Sequence, residues 1–141
     1  MKSINPYLNF PGNTEEAFIY RSVFGGEFTG GITRFKDTPN GAKLNDQEKE
    51  KVIHMVLQIG QTTLMATDAL DSMGHKLEYG NNFHLTIESE NKDEADRLFK
   101  ALSDGAKIEL KMQDIFWGAY FGMLTDKFGI QWMVNFTYPQ E

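Results

Sequence analysis

The strand-to-helix stretch YLNFPGNTEEA at residues 7–17 returns as HLTIESENKDEA at residues 84–95. In both copies an alternating strand pattern leads into Asn-x-x-Glu-Ala. Asn13 and Asn91 are good helix N-caps, and the Glu three residues later can close a capping box. A strand-to-helix unit that occurs twice indicates two copies of one structural module.

Each copy continues into an amphipathic helix, because an apolar stripe at helical spacing follows it. Gly25 and Gly105 stand where a left-handed residue would end each helix. The stripe consists of Ala17, Tyr20, Val23 and Phe24 in the first copy and of Ala95, Leu98, Phe99 and Leu102 in the second.

Three strand-like segments follow each predicted helix, recognised by alternation, β-branched and aromatic residues and flanking turns. They are residues 27–35, 52–60 and 63–69 in the first copy and 107–112, 120–125 and 130–137 in the second. The sequence therefore predicts an α+β fold of two tandem βαβββ modules. We expect the modules at about residues 1–70 and 81–138, within one domain that spans residues 1–141.

Residues 36–51 are the main asymmetry between the copies. They contain Pro39-Asn40-Gly41 followed by a charged segment. This pattern predicts an exposed loop with about one helical turn. A loop of this length is alternatively a functional lid.

Composition excludes several classes of protein. The chain has 141 residues, a net charge of −6, scattered Lys and Arg residues and no cysteine. Without a basic cluster we expect no nucleic-acid partner, and an acidic surface disfavours anionic membranes. The absence of cysteine excludes disulfides, thiolate zinc sites and a cysteine nucleophile. Because residues 1–6 form no apolar leader and no apolar run matches a membrane span, we expect a cytoplasmic protein.

Several local sequences resemble the glyoxalase/bleomycin-resistance/dioxygenase (vicinal oxygen chelate) superfamily, and within it the PhnB-like branch. They are NPYLNF at 5–10, KVIH at 51–54, LMATDA at 64–69, Phe116-Trp117, and LTDKFGIQWMVN at 124–135. The resemblance implies curved mixed sheets around a cup, a small-molecule ligand and a homodimer.

Members of this branch are often labelled 3-demethylubiquinone methyltransferases. The glycine pairs Gly25-Gly26 and Gly30-Gly31 do not form a Gly-x-Gly-x-x-Gly turn between strand and helix. The sequence also lacks the alternating βα pattern of a methyl-donor fold, so it gives that activity no support.

Metal-dependent relatives keep His or Glu ligands on the first and last strands of each module. The resemblance carries these positions onto Asn5, Met65, Asn82 and Met133. Neutral amides bind divalent metals weakly, and a thioether suits soft Cu(I). We therefore predict no metal and no other cofactor.

A relocated metal site stays open as an alternative. His54, His84 and Glu88 could lie in or near the cup, and two histidines with one carboxylate suffice for a metal site. Asp68 also follows the strand of Met65, but its parity predicts that it faces the other way.

Strand parity separates an apolar face, which covers the helices, from a polar face suited to a small polar or amphipathic ligand. The aromatic segment near residue 117 either walls this pocket or packs in a dimer interface. A polar face filled by water or covered by a partner subunit is equally compatible with the pattern. The predicted pocket residues are Asn5, Tyr7, Asn9, Met65, Asn82, His84, Phe116, Trp117, Tyr120, Met133 and Asn135.

No catalytic residue can be assigned, because the sequence has no nucleophile elbow, P-loop or metalloprotease motif. The leading hypothesis is a metal-free, homodimeric small-molecule-binding protein. One alternative is a divalent-metal-dependent lyase, isomerase or dioxygenase with relocated ligands. Another is a drug-sequestering resistance protein.

Overall fold

The computed structural model describes residues 1–21 and 24–140, and the chain divides into two compact units, Met1–Glu78 and Tyr79–Glu141. The first unit contains β1 (Tyr7–Phe10), α1 (Thr14–Arg21), β2 (Glu27–Arg34), α2 (Asp46–Lys49), β3 (Val52–Ile59) and β4 (Thr62–Asp68). The second contains β5 (Leu85–Glu88), α3 (Lys92–Leu102), β6 (Lys107–Ile115), β7 (Ala119–Thr125) and β8 (Gln131–Thr137). Within the described ranges, no helix is long and apolar enough to cross a membrane.

Each unit contains its own four-stranded sheet, and the two sheets have the same topology. The strand orders are β1-β4-β3-β2 and β5-β8-β7-β6. In each sheet the first strand runs parallel to the last, and the remaining pairs are antiparallel. Neither sheet closes on itself. The α+β prediction of two tandem βαβββ modules is therefore confirmed.

One face of the first sheet is covered by α1. Phe10 and Leu57 are fully buried on this face. Ala17 and Phe18 of α1 are also fully buried. The predicted stripe named Ala17 but missed Phe18, because two adjacent residues of a helix can both reach a core when the helix is short. Val23, also in that stripe, lies outside the described residues.

The second sheet is covered by α3, whose predicted stripe is confirmed. Ala95, Leu98 and Leu102 are buried against the sheet. Gly122 of β7 permits the close approach, since a Cβ there would lie 2.8 Å from the Phe99 ring and 2.6 Å from Met112 Sδ. α3 ends at Leu102 with Ser103 as its C-cap, so Gly105 lies one residue beyond the C′ position predicted for it, although it has the predicted left-handed conformation at φ +70°.

Asn91 caps α3 as predicted. Its Oδ1 accepts a hydrogen bond from Glu94 N at 2.8 Å. The Glu94 carboxylate accepts from Glu90 N at 3.1 Å, one residue before the N–H that a capping box would use.

The predicted cap of α1 is corrected. Asn13 Oδ1 is buried and has no hydrogen-bond partner among the described residues. The carboxylate of Asp68 takes over, accepting from Thr14 N at 3.0 Å and from Thr14 Oγ1 at 2.7 Å. Asp68 thus faces α1, away from Met65, as its parity predicted.

The asymmetric segment is more ordered than a loop with one turn. Two 3-10 turns, Phe35–Asp37 and Pro39–Lys43, precede α2. Asn45 caps α2 through a capping box with Glu48. Phe35 is buried and anchors the segment. The lid interpretation stays a prediction.

Candidate functional site

The first sheet carries a row of polar side chains on the face away from α1, called here the first open face. It comprises Tyr7, Asn9, His54, Met65 and Thr67. Tyr7 lies beside Met65 in register, and Asn9 lies beside Thr67. Tyr7 is 45% exposed, whereas its neighbour Leu8 is buried. The predicted parity of Tyr7, Asn9 and Met65 is therefore confirmed.

Tyr7 and His54 meet across the intervening strand β4. The Tyr7 hydroxyl lies 3.3 Å from His54 Nδ1. The two ring centroids are 5.9 Å apart with planes inclined by 30°. The phenol thus contacts His54 through Nδ1 and helps to orient its ring.

The Asn5 side chain makes hydrogen bonds within the protein and is not directed at the first open face alone. Its Oδ1 accepts from Thr63 N at 3.3 Å, and its Nδ2 donates to Ser3 Oγ at 2.8 Å. Both ends of the amide are therefore engaged by the protein, and this side chain links the N-terminal segment to β4.

The second sheet has a corresponding second open face, on the side away from α3. Thr86 Oγ1 donates to Met133 Sδ at 3.7 Å. Asn135 Nδ2 donates to Glu88 at 2.8 Å. The face comprises His84, Thr86 and Glu88 with Gln131, Met133 and Asn135.

A carboxylate from β6 reaches this face. Glu109 lies 3.5 Å from His84 Nε2 and accepts from Thr125 Oγ1 at 2.6 Å. The Thr125 hydrogen bond is the main cause that lowers the pKa of Glu109; partial burial opposes it, and His84 adds to it. The register of β6 shifts between Ile108 and Leu110, so a bulge at Glu109 helps to aim its side chain.

Sequence reasoning missed Glu109. The only signal was the alternation of Lys107, Glu109 and Lys111 with apolar residues. That pattern is equally typical of a solvated edge strand, and nothing in it shows which side chain lies opposite.

Two exposed aromatic rings stand in the turn between β6 and β7. Phe116 is 96% exposed and Trp117 is 56% exposed. Their ring centroids are 5.0 Å apart, and Trp117 packs edge-on against Phe121 at 5.8 Å. Because Phe121 lies beside Asn135 in register, Trp117 flanks one end of the second open face.

Tyr120 belongs to the opposite side of the sheet, which corrects its grouping with Trp117. Its hydroxyl donates to Asp96 of α3 at 2.6 Å, and Lys92 Nζ lies 4.5 Å from its ring centroid. The hydrogen bond to Asp96 is the main cause that raises the pKa of Tyr120 to about 12. Because β7 already begins at Ala119, adjacent Tyr120 and Phe121 must face opposite ways.

Strand register gives a different counterpart of Asn5 from Asn82, the position that the resemblance had indicated. The neighbours of the two repeat-related methionines are Tyr7, beside Met65, and Thr86, beside Met133. Two residues before these neighbours stand Asn5 and His84. Asn82 is exposed and precedes β5. The counterpart of Asn5 in the second module is therefore His84.

These positions do not fit a divalent metal. They supply one imidazole, one amide whose two ends are already engaged and two thioethers. Among the residues that the structure describes, no three His, Asp or Glu side chains are grouped to hold a metal ion. The alternative set is split among different partners: His54 contacts Tyr7, His84 contacts Glu109, and Glu88 contacts Asn135.

A cavity of about 580 Å³ lies elsewhere in the first unit, at the N-terminal end of α1. Gly12, Asn13, Glu16, Ile19 and Lys51 are among its lining residues. Lys51 Nζ donates to Gly12 O at 2.9 Å beside it. The predicted pocket residues do not line this cavity.

Comparisons with known proteins agree with this geometry. The family model of 3-demethylubiquinone-9 3-methyltransferase matches residues 2–135. Protein YjdN of Escherichia coli is 30% identical over 97% of both chains. The structure of protein PA1353 from Pseudomonas aeruginosa is 36% identical, covers 96% of this chain and 97% of that one, and has a TM-score of 0.84.

More distant structures show the fold. The putative 3-demethylubiquinone-9 3-methyltransferase PhnB protein from Bacillus cereus is 23% identical over 96% of this chain and 99% of its own, with a TM-score of 0.79. A glyoxalase/bleomycin resistance protein/dioxygenase family enzyme from Burkholderia phytofirmans is 16% identical over 94% and 97%, with a TM-score of 0.63. The chain therefore belongs to the family described as 3-demethylubiquinone-9 3-methyltransferase, and it shares its fold with the PhnB protein and with the glyoxalase/bleomycin resistance protein/dioxygenase family enzyme.

Proposed function

We propose that this protein binds a small molecule on its open faces without the help of a metal ion. The observation that carries the proposal is the chemistry at the positions where metal-dependent relatives keep ligands. One amide, two thioethers and one imidazole stand there, at Asn5, Met65, Met133 and His84. Asn5 is already engaged by hydrogen bonds within the protein, and His84 lies beside Glu109. The same faces carry phenol, imidazole, amide and carboxylate groups, which suit a polar or amphipathic ligand.

We propose further that the protein works as a cytoplasmic homodimer. The exposed rings of Phe116 and Trp117 support this, because large aromatic residues dominate burial in protein interfaces. The double substitution Phe116→Ser with Trp117→Ser should shift the protein toward monomer in sedimentation velocity. Phe83→Ser, which removes another exposed ring from the second unit, is the matched control. A wild-type monomer at all concentrations would refute the dimer.

Neither a metal-dependent enzyme nor a methyltransferase is favoured by a specific observation. The ligand set proposed for a relocated metal, His54, His84 and Glu88, is not grouped. The sequence has no glycine-rich motif for a methyl donor. Drug sequestration is a special case of the binding function and requires the same open faces.

The test combines elemental analysis of the untagged protein with a thermal-shift screen of small molecules, each run with and without a chelator. We expect less than a stoichiometric amount of divalent metal, and stabilisation by a ligand that the chelator leaves unchanged. Asn135→Ala should weaken a ligand of the second open face. Asn81→Ala, which removes an exposed amide outside the strands, should not. About one equivalent of metal, with binding lost on chelation, would refute the proposal.

A further inference from the structure

The side chains of the second open face form hydrogen bonds with residues of neighbouring strands, in the plane of the sheet. Asn135 Nδ2 donates to Glu88 and to Thr137 Oγ1, at 2.8 and 3.1 Å. Gln131 Nε2 donates to the Phe83 carbonyl at 2.6 Å. Thr86 donates its hydroxyl hydrogen to Met133. Both N–H groups of Asn135, one N–H of Gln131 and the Thr86 hydroxyl are therefore used within the protein.

The orientation of the two amides is fixed by their partners. Asn135 faces the carboxylate of Glu88, and Gln131 faces a carbonyl oxygen. Both partners only accept hydrogen bonds, so each amide must present its NH2 group to them. A rotated amide would place two oxygens against each other. The amide oxygens must consequently point away from these contacts.

Three oxygens remain without a partner in the described part of the chain. They are Oδ1 of Asn135, Oε1 of Gln131 and the second carboxylate oxygen of Glu88. Within residues 1–21 and 24–140, the buried side-chain polar atoms that lack a partner are on Asn13 and Ser89. The three oxygens are therefore accessible to solvent, and they lie on both sides of Met133 along β5 and β8.

The charges near this face favour a cation. Glu88 and Glu109 are carboxylates, and the chain as a whole carries a net charge of −6. The opposing groups are His84 and Lys107, both of which act on Glu109. The half-exposed indole of Trp117 flanks the end that holds Asn135, and an aromatic face attracts a neighbouring cation.

We propose that the second open face selects a ligand that donates hydrogen bonds, namely a small organic cation with an amidinium or guanidinium group. The inference rests on the proposed function and deepens it. An acceptor-rich anion would cover the three oxygens without pairing them, and leaving desolvated polar groups unpaired is costly. A planar N–H cation pairs the neighbouring oxygens of Asn135 and Glu88 at once, while its apolar body lies toward Met133.

The experiment compares three benzene derivatives that differ only in the head group. Benzamidine is a cationic donor, benzamide is neutral, and benzoate is an anionic acceptor. Each is titrated into the full-length ¹⁵N-labelled protein and followed by amide chemical shifts. We expect saturable shifts from benzamidine at residues of β5 and β8, with weaker binding of benzamide and none of benzoate.

Two variants localise the effect. Glu88→Gln should weaken benzamidine binding about threefold, the size of an exposed ion pair. Glu90→Gln removes the same charge from an exposed position just beyond β5 and should leave the affinity unchanged. Equal affinities for the two variants would overturn the inference.

The outcomes separate this inference from the proposed function. Saturable binding of benzoate or benzamide in preference to benzamidine would keep the face as a binding site and overturn the donor selectivity. The absence of saturable shifts from benzamidine would overturn this inference, whereas the proposed function is judged by its own ligand screen.

Discussion

Asp68, the last residue of β4, accepts hydrogen bonds from both the backbone N–H and the hydroxyl of Thr14, the first residue of α1. Its other oxygen accepts from Val52 N at 2.8 Å. Thr14 and Asp68 are both buried. One carboxylate thus joins the helix to two strands of the first sheet.

Asp68→Ala should destabilise the protein strongly. The substitution leaves the Thr14 N–H, the Thr14 hydroxyl and the Val52 N–H buried without a partner, at a cost of about 2–4 kcal/mol. Urea unfolding monitored by circular dichroism measures the change. Asp71→Ala, at an exposed residue three positions on, is the control and should change the free energy of unfolding little. Similar values for the two variants would contradict the role of Asp68.

The two repeat-related asparagines should respond differently to alanine. Asn91→Ala removes an observed N-cap and should cost about 1 kcal/mol. Asn13→Ala removes a buried oxygen that has no partner, so its cost should be smaller or absent. Thermal unfolding of both variants beside the wild type makes the comparison. A larger loss for Asn13→Ala would show that the first helix also depends on its asparagine.

Glu109 should contribute to stability in a pH-dependent way. Its pKa in the folded protein is lowered, mainly by the Thr125 hydrogen bond. The contribution is therefore present above the ordinary pKa of a glutamate, about 4.3, and is lost as the pH falls through the lower folded-state value.

Glu109→Gln tests this effect. The stability difference between wild type and variant should be largest near about pH 6 and should narrow toward about pH 3. Unfolding midpoints across this range provide the measurement. The stability difference between wild type and Thr125→Val should also narrow as the pH falls, because this variant lacks the hydrogen bond that is the main cause of the lowered pKa of Glu109. A difference independent of pH would mean that Glu109 does not titrate as described.

Gly122→Ala should loosen the packing of α3 on the second sheet. The added Cβ would lie 2.6 Å from Met112 Sδ and 2.8 Å from the Phe99 ring, so these neighbours must move. Overpacking of this kind costs about 1–3 kcal/mol. Gly80→Ala, where the nearest atom lies at 3.8 Å, is the matched control. Adding Phe99→Leu should recover part of the loss, as measured by urea unfolding.

Local sequence patterns were enough to predict most of the strands and helices of the fold. The strand predicted at residues 52–60 is observed as Val52–Ile59, because alternation and flanking turns act within a few residues. The first helix was less well described. Its buried aromatic residue is Phe18, and helical spacing counted from Ala17 did not select it.

The site depended on relationships that a single sequence does not contain. Parity placed Tyr7 and Asn135 on the polar faces, since it needs only one strand at a time. The pairing of His84 with Glu109 joins residues 25 positions apart and depends on strand order and on a bulge. Tyr120 was grouped with Phe116 and Trp117 because the three are close in sequence, whereas its hydrogen bond to Asp96 of α3 is a tertiary contact that sequence proximity does not show.

The strand order has a consequence for how these molecules behave together. Each open sheet leaves two outer strands with unpaired backbone groups, to which a strand from another molecule could add. β1 and β5 are only four residues long, and β2 and β6 carry register shifts that interrupt a regular ladder. The outer strands are thus short or irregular, two features that disfavour edge-to-edge aggregation.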